Sequence, residues 1–564
     1  MRKLFLSCLH FSLLGPPGNP RAKYRRSGSR LPGSNTGNAA SAGKTMQIKV
    51  EVLVIGSGFG GAIAARRLAE AGRQVVMLER GPWRDTVPNR SLGIQNLVPL
   101  PQGAKAYTHG LRNIGSHRLK KDIVLNRKGF IEAYQGDGIN VICSSGVGGG
   151  SHVYAGFMDR PLVPGYWDNR HPDLCNASME AYYEELLSTY KARPLTESDQ
   201  VPNAIEQTSH DGKLSCLGHP AVAFLMPQVP GQPARRVEDG VERWECDMAN
   251  NSFLGSPSGA KTTLDFSTLW PAMQKGLAVQ ALCEVTSIHR LNPDSSAPMR
   301  YEVRYRNHAN GRDEWILAEH VILAAGGLGS VRLLLRSRDQ ARGLRGMPRL
   351  GLGFGGNGDY FGLWKENSDM DLSKGMPIGS PFRLKGSPNQ SVLVLRAAIQ
   401  GIDSMPMPGP LRRWLRRQSV IIAFGGDRNT GTMALHKGRF KITYNTRDND
   451  IYRQINAELA SIQQATGTKV YAPSNPVTVH PVGGACLGTS ISDGVVGANG
   501  EVFDNPGLYV ADAAALPASP GGAPSLTIAA WSANVADRLI AELRQRDTVS
   551  SNAAISADSV ATHG

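Results

Sequence analysis

The sequence has few charged residues, and its cysteines are sparse and scattered. Charged side chains make up 19% of the 564 residues, and the cysteines stand at positions 8, 143, 175, 216, 246, 283 and 486. Their odd number and the lack of any Cys-x-x-Cys spacing argue against a disulfide framework and a zinc site, so we predict no metal site. No apolar run approaches the roughly 18 residues of a membrane span. The sequence therefore predicts neither a disulfide-stapled miniprotein nor a membrane-spanning protein.

Acidic residues are absent from the first fifty positions, which hold nine Lys or Arg. This segment carries most of the net charge of +15, because the other 514 residues hold 53 basic and 47 acidic side chains. A nucleic-acid-binding protein concentrates its basic surface on the folded part of the chain. We therefore expect no nucleic-acid partner.

Both ends of the chain differ from the rest. Residues 1–45 are rich in Gly, Ser, Pro and Arg, which is typical of a disordered arm, or of a start assigned too early if Met46 is the initiator. A Met46 start favours a cytoplasmic protein, whereas the basic and apolar residues 2–14 imitate a signal peptide and leave secretion open. Residues 546–564 are small and polar, which predicts a disordered tail.

Glycine is abundant, at 64 residues, and its first cluster has the pattern of a dinucleotide site. A β-branched strand, Val50–Ile55, leads into Gly56–Gly61, where Gly56, Gly58 and Gly61 fill Gly-x-Gly-x-x-Gly. A predicted helix over 62–71, a strand over 74–78 and then Glu79 follow. An acid at this spacing binds a ribose hydroxyl, and the glycines let the pyrophosphate approach the helix start. NAD and FAD both stay open on this pattern.

Two further glycine segments predict that the nucleotide domain is discontinuous. Gly146–Ser151 holds four glycines in its first five positions, which implies backbone packed against a flat or phosphorylated group. Residues 321–327 form an apolar run that ends in two glycines and precedes a predicted helix over 330–336. This run reads as a buried strand, about 270 residues after the first one.

The order of motifs near the C-terminus identifies a family. His480-Pro481-Val482-Gly483-Gly484 is followed by a strand that ends at Asp512, and Pro520–Ser525 opens a helix predicted over 526–544. Together with Gly355-Gly356-Asn357-Gly358 and the earlier clusters, this succession resembles the glucose–methanol–choline (GMC) oxidoreductases, especially their cholesterol-oxidase-like branch. The resemblance covers residues 50–543.

The resemblance implies an α/β fold with a discontinuous Rossmann-like FAD-binding domain and an α+β substrate domain built on an antiparallel sheet. The FAD-binding domain would comprise 46–160, 250–360 and 476–545, and the substrate domain 161–249 and 361–475. The implied cofactor is FAD. The implied partners are a small-molecule alcohol, which a lipid would satisfy, and oxygen or another electron acceptor.

The resemblance also assigns residues to FAD. The ADP half would be held by Gly56, Ser57, Gly58, Gly60, Gly61 and Glu79, with Val285, on a strand over 279–288, contacting adenine. The isoalloxazine would lie along Gly149, Gly150, Ser151, Tyr154 and Phe157. The pyrophosphate and ribityl chain would meet Asp512 and Ala513, and Leu526 would open a helix directed at the flavin.

The implied reaction is oxidation of the CH–OH group of a sterol-like or other bulky apolar alcohol. His480 resembles the family's catalytic base, which removes the hydroxyl proton while hydride passes to flavin N5. Ungapped counting places Asp403 where cholesterol oxidases have a glutamate base, and a shifted alignment places Leu395 there. Ala523 stands where the family usually has Asn or His, so a flavin-binding protein without alcohol oxidation stays an alternative. A dehydrogenase using another acceptor on a non-steroid alcohol is a further one.

Two other features are left with two interpretations each. His152 lies one position from the place where some GMC proteins attach flavin covalently, and otherwise it faces the flavin or solvent. Residues 411–417 place Leu411, Trp414 and Leu415 on one helical face among arginines. Such a helix covers a substrate pocket or contacts a membrane surface at its periphery.

Overall fold

The computed structural model describes residues 48–207, 210–251, 253–291, 298–387 and 391–561. The predicted arm over 1–45, the alternative start at Met46 and residues 562–564 lie outside the described residues. None of the helices in the described ranges is both long enough and apolar enough to cross a membrane.

A seven-stranded mixed sheet forms the centre of the nucleotide-binding half. The first strand pairs in parallel with Val75–Leu78 on one side and with Arg312–Leu323 on the other. Val75–Leu78 and the C-terminal parts of the other two strands are buried, as expected of parallel strands that are covered on both faces. The strands of this sheet are Ile48–Ile55, Val75–Leu78, Ala278–Gln280, Cys283–Arg290, Tyr301–Asn307, Arg312–Leu323 and Leu508–Val510.

The second large sheet of the protein is antiparallel and has six strands. Its two central strands, Leu393–Ala397 and Ser419–Phe424, are mostly buried, whereas the strands at its edges are half-buried or exposed. In spatial order they are Lys469–Tyr471, Tyr360–Lys365, Ser419–Phe424, Leu393–Ala397, Pro381–Leu384 and Leu214–Cys216. All but Tyr360 lie within the ranges predicted for the substrate domain.

Smaller sheets complete the fold. A five-stranded sheet is made of Val477–Thr478, Asn140–Ser144, Ile131–Gln135, Leu111–Ser116 and Ile123–Val124. A three-stranded sheet joins Leu352–Phe354, Gly431–His436 and Arg439–Thr443. Two-stranded ribbons pair Arg235–Glu238 with Val241–Trp244 and Arg193–Pro194 with Ala221–Val222.

The helices cover the seven-stranded sheet and the edges of the others. The first of them, Phe59–Glu70, packs against the last, which begins at Ser525. Buried Trp531 of the last helix stacks on Trp167, with ring centroids 6.0 Å apart. The α-helices are Phe59–Glu70, Val87–Ser91, Lys105–His109, Asn176–Thr189, Trp270–Met273, Gly326–Arg338, Gly409–Leu415, Asp450–Thr466 and Ser525–Ala561.

Two sequence predictions about these elements are wrong. The last helix continues to Ala561, so residues 546–561 are helical and do not form a disordered tail. Neither Gly nor Pro occurs between 525 and 561 to end the helix, and Arg546 forms an ion pair of 2.6 Å with Glu319. The strand predicted over 279–288 is two strands, because Leu282 takes a left-handed conformation with φ of 62° between them.

Candidate active site

The fingerprint loop Gly56–Gly61 is shaped by close backbone approaches. The first helix begins after Gly58, which caps it without a side chain, and its first turn contains no acidic residue. A Cβ on Gly60 would lie 2.2 Å from the carbonyl oxygen of Ala511, so only glycine fits there. The uncapped N–H groups of this helix start form a site for an anion.

Glu79 is buried and ties the fingerprint loop together. Its Oε2 accepts hydrogen bonds from the Ser57 amide (3.1 Å) and hydroxyl (2.7 Å), and its Oε1 accepts one from the Gly81 amide (2.7 Å). The Ser57 Oγ in turn accepts a bond of 3.1 Å from the Gly148 amide. This chain of bonds joins the first glycine cluster to the second.

The second glycine cluster, Gly146–Ser151, lies directly against the fingerprint loop. A Cβ on Gly149 would be 2.5 Å from the Gly58 Cα, whereas one on Gly150 would meet nothing within 4 Å. Ser151 is buried and donates to the Gly148 carbonyl (2.7 Å) while accepting from the Leu264 amide (3.0 Å). Gly149 therefore contacts protein backbone, whereas the next residue, Gly150, faces open space.

The predicted contacts of the ring face lie just beyond that cluster. Tyr154 donates its hydroxyl to the Thr262 carbonyl (2.5 Å) and packs edge-on against Phe59, with ring centroids 5.5 Å apart. Phe157 is buried in a separate apolar cluster. Lys261, which is fully buried, donates to the carbonyls of His152 (2.8 Å) and Tyr154 (2.7 Å). Burial lowers the pKa of this lysine to about 7.

Asp512 connects three segments at the carboxyl end of the sheet. Its Oδ2 accepts from the Gly326 amide (2.7 Å) and the Ser330 hydroxyl (2.6 Å), and its Oδ1 from the Ala514 amide (2.9 Å). Burial raises the pKa of this carboxyl to about 6. Its carboxylate is occupied by the protein, so the backbone of Asp512 and Ala513, beside Gly60, is the part that can face a ligand.

The remaining predicted residues of the nucleotide site are apolar. Val285 lies half-buried on the strand Cys283–Arg290, next to an irregularity in its pairing. Leu526 is fully buried in the first turn of the last helix. Neither side chain offers a polar atom, so each can contribute only through its backbone or through packing.

His480 is held by a buried carboxylate that the sequence did not reveal. Its Nδ1 lies 3.0 Å from Oδ1 of Asp359, which has no exposed side-chain surface. The other oxygen of Asp359 accepts from the hydroxyl of Thr478 (2.9 Å) and the amides of Val479 (2.9 Å) and His480 (3.2 Å). Among the described residues, no group bonds Nε2 of His480, whose side chain is 19% exposed.

A short backbone pairing brings the histidine and the aspartate together. Gly355 and Val482 exchange two backbone hydrogen bonds of 3.0 and 3.1 Å, which fixes the segment before Asp359 beside the segment after His480. Asn357 then donates to the Gly522 carbonyl (2.8 Å) and accepts from the Gly521 amide (3.0 Å). The glycine loop that carries Ala523 is thereby attached to the same point.

An apolar cluster adjoins His480. The His480 ring packs edge-on against Phe424 at 5.4 Å between centroids, and Phe424 belongs to the cluster. Its buried members are Ala155, Phe157, Ile378, Leu395, Ala397, Ile422 and Phe424, with Ala523 among the half-buried residues packed on it. The base candidate therefore borders an apolar wall, and Ala523 belongs to that wall.

Asp403 is not brought to His480. Its carboxylate is 59% exposed and forms an ion pair with Arg416, at the start of a short turn after the antiparallel sheet. Leu395, the residue of the shifted alignment, is fully buried in the apolar cluster. The contacts of Asp403 therefore give it a surface role, and its role as a base stays a prediction without a structural contact.

His152 is buried, which contradicts the solvent-facing interpretation, whereas contact with the flavin and covalent attachment stay predictions. Its Nε2 lies 2.7 Å from the Val147 carbonyl and 3.8 Å from Oδ2 of Asp265, and its Nδ1 has no hydrogen-bond partner among the described residues. Burial, the largest influence, lowers the pKa of this imidazole. It is therefore held by the protein and does not face solvent.

Two family models and several known proteins match this chain. The model of a GMC oxidoreductase domain matches residues 434–532, and that of an FAD-binding domain matches residues 49–97. A cholesterol oxidase of Mycobacterium tuberculosis (strain CDC 1551 / Oshkosh) is 25% identical, over 86% of this chain and 90% of that protein. The chain belongs to the GMC oxidoreductase family. It is an FAD-dependent oxidoreductase that acts on alcohols.

Two other known proteins are similar to this chain. A 2-methyl-1,2-propanediol dehydrogenase of Mycolicibacterium austroafricanum is 26% identical over 51% of each protein. The crystal structure of pyridoxine 4-oxidase from Mesorbium loti has a TM-score of 0.52 at 14% identity, covering 87% of this chain and 99% of that one. The mixed α/β fold with its separate antiparallel sheet is confirmed by that similarity.

The site of this GMC protein fits FAD on its own geometry. The uncapped helix start after Gly58 suits a pyrophosphate, and the open side of Gly150 leaves room for a flat group beside the glycine cluster. Glu79 has one lone-pair direction left after its three protein bonds, since a carboxylate offers about four. The loops of this site therefore present an anion site for the pyrophosphate, an opening for the flat ring system and a hydrogen-bond acceptor for the ribose.

Proposed function

We propose that the chain oxidises the CH–OH group of a bulky apolar, sterol-like alcohol, with His480 as the base that takes the hydroxyl proton. The observation that carries the proposal is the pairing of His480 Nδ1 with buried Asp359, while Nε2 stays without a protein partner beside the apolar cluster. An imidazole whose one nitrogen is fixed and whose other nitrogen is accessible is arranged for proton transfer.

Asp359 sets which nitrogen of His480 can act. A carboxylate accepts hydrogen bonds, so the Nδ1 at 3.0 Å carries the proton and donates. Nε2 then holds the lone pair that accepts the proton of the alcohol. Three further donors on the other oxygen of Asp359 keep the carboxylate from rotating away.

FAD supplies the hydride acceptor when it is bound, and we propose the residues that hold it. The helix start at Gly58–Gly61 and the backbone of Asp512 and Ala513 would bind the pyrophosphate, and Glu79 the ribose. Val285 would contact adenine through its backbone. The flat opening is bordered by Gly149, Gly150, Ser151, Tyr154, Phe157 and the helix start at Leu526.

The substrate class rests on the apolar cluster. Phe157, Leu395, Phe424 and Ala523 offer no hydrogen-bond donor for a polyol, and burial of apolar substrate surface contributes about 25 cal/mol per Å². Relatives named cholesterol oxidase over most of the chain support a sterol-like alcohol. Ala523 presents only a methyl group where the family usually has Asn or His. His480 would therefore bind the substrate oxygen without a second hydrogen-bonding side chain from that position.

The test is a comparison of kcat/KM for a 3β-hydroxysteroid and for short polar alcohols, with oxygen and with an artificial acceptor. The steroid should be preferred, and the acceptor that gives turnover distinguishes an oxidase from a dehydrogenase. His480→Ala should lower kcat about 10²- to 10⁴-fold at unchanged FAD content, whereas His436→Ala, at an exposed histidine, serves as the control. Equal turnover in His480→Ala would favour a flavin-binding protein that does not oxidise alcohols.

A further inference from the structure

Three potential metal ligands meet outside the active site. Glu206, Cys216 and His219 each direct one ligand atom to the same place, and these atoms lie within 4.8 Å of one another. Glu206 lies in the short turn Ile205–Gln207, and Cys216 ends the edge strand Leu214–Cys216 of the antiparallel sheet. None of the three belongs to the nucleotide loops, the His480–Asp359 pair or the apolar cluster.

His219 is already oriented as metal-bound histidines are. Its Nδ1 is 2.5 Å from the hydroxyl oxygen of Ser380, and its Nε2 lies 3.9 Å from Oε1 of Glu206. The first distance is a hydrogen bond and the second is too long for one. A metal-ligating histidine characteristically bonds one ring nitrogen to a fixed polar group and directs the other at the ion. Here Nδ1 has the fixed partner and Nε2 is the nitrogen left for the ion.

The ligand atoms are spaced somewhat more widely than in a tetrahedral site. Metal–ligand bonds of about 2.3 Å to sulfur and about 2.0–2.1 Å to nitrogen and oxygen place neighbouring ligand atoms roughly 3.3–3.6 Å apart. The separations here, up to 4.8 Å, exceed this by at most about 1.5 Å. Glu206 and His219 have side chains 44% and 33% exposed, so both can move by that amount.

The chemistry of the three ligands selects the ion. Thiolate and imidazole together favour zinc and similar transition metals over magnesium and calcium, which prefer oxygen ligands. Three protein ligands leave a fourth position for water.

We propose that Glu206, Cys216 and His219 form a binding site for Zn²⁺ or a similar divalent transition metal, with Ser380 as the residue that orients His219. The ion would join the turn at 205–207 to the edge strand of the antiparallel sheet. The ligand pair Cys216 and His219 contains a single cysteine, so a search for Cys-x-x-Cys spacing does not detect this site.

The test uses the FAD-loaded full chain, freed of metal by chelation and titrated with Zn²⁺. We expect one zinc per chain, with a single sulfur ligand in the zinc X-ray absorption spectrum, which flavin does not obscure. Affinity should fall as the pH is lowered, because cysteine and histidine bind metal in their deprotonated forms. Magnesium should not compete.

Variants distinguish this site from adventitious binding. Cys216→Ser and His219→Ala should each lower the affinity at least 100-fold, and Ser380→Ala should lower it about 10- to 100-fold by releasing the orienting bond. Cys175→Ser, at an exposed cysteine, is the matched control and should bind normally. The flavin spectrum and the melting temperature confirm that each variant is folded.

Three results would overturn the proposal. The first is the absence of stoichiometric zinc binding by the folded wild-type chain. The second is binding that persists unchanged in Cys216→Ser and His219→Ala, and the third is a bound zinc whose absorption spectrum contains no sulfur. None of these results bears on alcohol oxidation, because the three residues lie outside the proposed active site.

Discussion

Replacing Asp359 by asparagine should invert the protonation of His480 without removing a side chain. The asparagine keeps a carbonyl oxygen for the three donors at Thr478, Val479 and the His480 amide, which bond Oδ2 of Asp359 at 2.9–3.2 Å. Its amide N–H₂ then faces Nδ1 of His480 and donates to it. Nδ1 must now accept, so the neutral imidazole carries its proton on Nε2. Nε2 can no longer take the proton of the alcohol.

The size of the effect follows from the bond that is lost. A hydrogen bond to a charged group contributes about 1.5–3 kcal/mol, and each 1.4 kcal/mol in an activation barrier changes a rate about tenfold. We expect Asp359→Asn to lower kcat about 10- to 150-fold. The KM should change little, because the carboxylate acts through His480 and does not touch the substrate.

Rapid anaerobic mixing with excess alcohol measures the step directly, as the rate at which the flavin absorbance is lost. Asp427→Asn is the matched control, since Asp427 is also a buried carboxylate that accepts from a backbone amide and from hydroxyl groups, at Gly356, Tyr444 and Ser519, but does not touch His480. This control should lose stability while its folded fraction reduces flavin normally. A reduction rate in Asp359→Asn equal to the wild-type rate would refute the proposed role of the pair.

Three further predictions concern cofactor binding, stability and the surface carboxylate. Gly60→Ala should lower FAD content and destabilise the fold by about 1–3 kcal/mol, because the new Cβ would lie 2.2 Å from the Ala511 carbonyl oxygen; normal flavin content would contradict this. Burial lowers the pKa of Lys261 to about 7, so the unfolded chain binds the extra proton and stability should rise by up to about 1.4 kcal/mol per pH unit between pH 7 and about 10.5; urea unfolding across that range should show the rise, and it should be missing in Lys261→Met. Asp403→Asn should leave kcat within about twofold and cost at most about 1 kcal/mol, as expected of an exposed ion pair; a large loss of kcat would restore Asp403 as a base.

The glycine loops were predictable because their function depends on local backbone geometry. The order strand, glycine loop, helix, strand, acid is contained in thirty consecutive residues, and the structure has it with element ends shifted by at most three positions. The glycines there lie against the backbone of neighbouring segments, so the requirement for glycine is visible in the sequence. The same reasoning explains why the second glycine cluster was recognised.

Asp359 could not be predicted because its partner is distant in the chain. It lies 121 residues before His480, and the backbone pairing of Gly355 with Val482 brings the two segments together. The available signal was its position, directly after the Gly-Gly-Asn-Gly segment that helped to identify the family. A carboxylate directly after a family motif is a candidate partner for the catalytic histidine.

The predictions of one strand over 279–288 and of a disordered tail were wrong for different reasons. A left-handed leucine, Leu282, separates the two strands, and nothing in the residue type announces that conformation. The small polar composition of the tail predicts disorder, although a segment without Gly or Pro continues a helix once ion pairs such as Arg546–Glu319 attach it to the sheet. In the last helix, tertiary contacts therefore outweigh local composition.

The most direct measurement of the central claim is the visible spectrum of the purified full chain, recorded without oxygen before and after addition of a 3β-hydroxysteroid. The account predicts a flavin spectrum that bleaches on addition of the steroid and stays oxidised over the same time in His480→Ala. A flavin spectrum that the steroid does not bleach, with short polar alcohols bleaching it instead, would contradict the proposed substrate. A protein that bleaches equally with and without His480 would contradict the proposed mechanism.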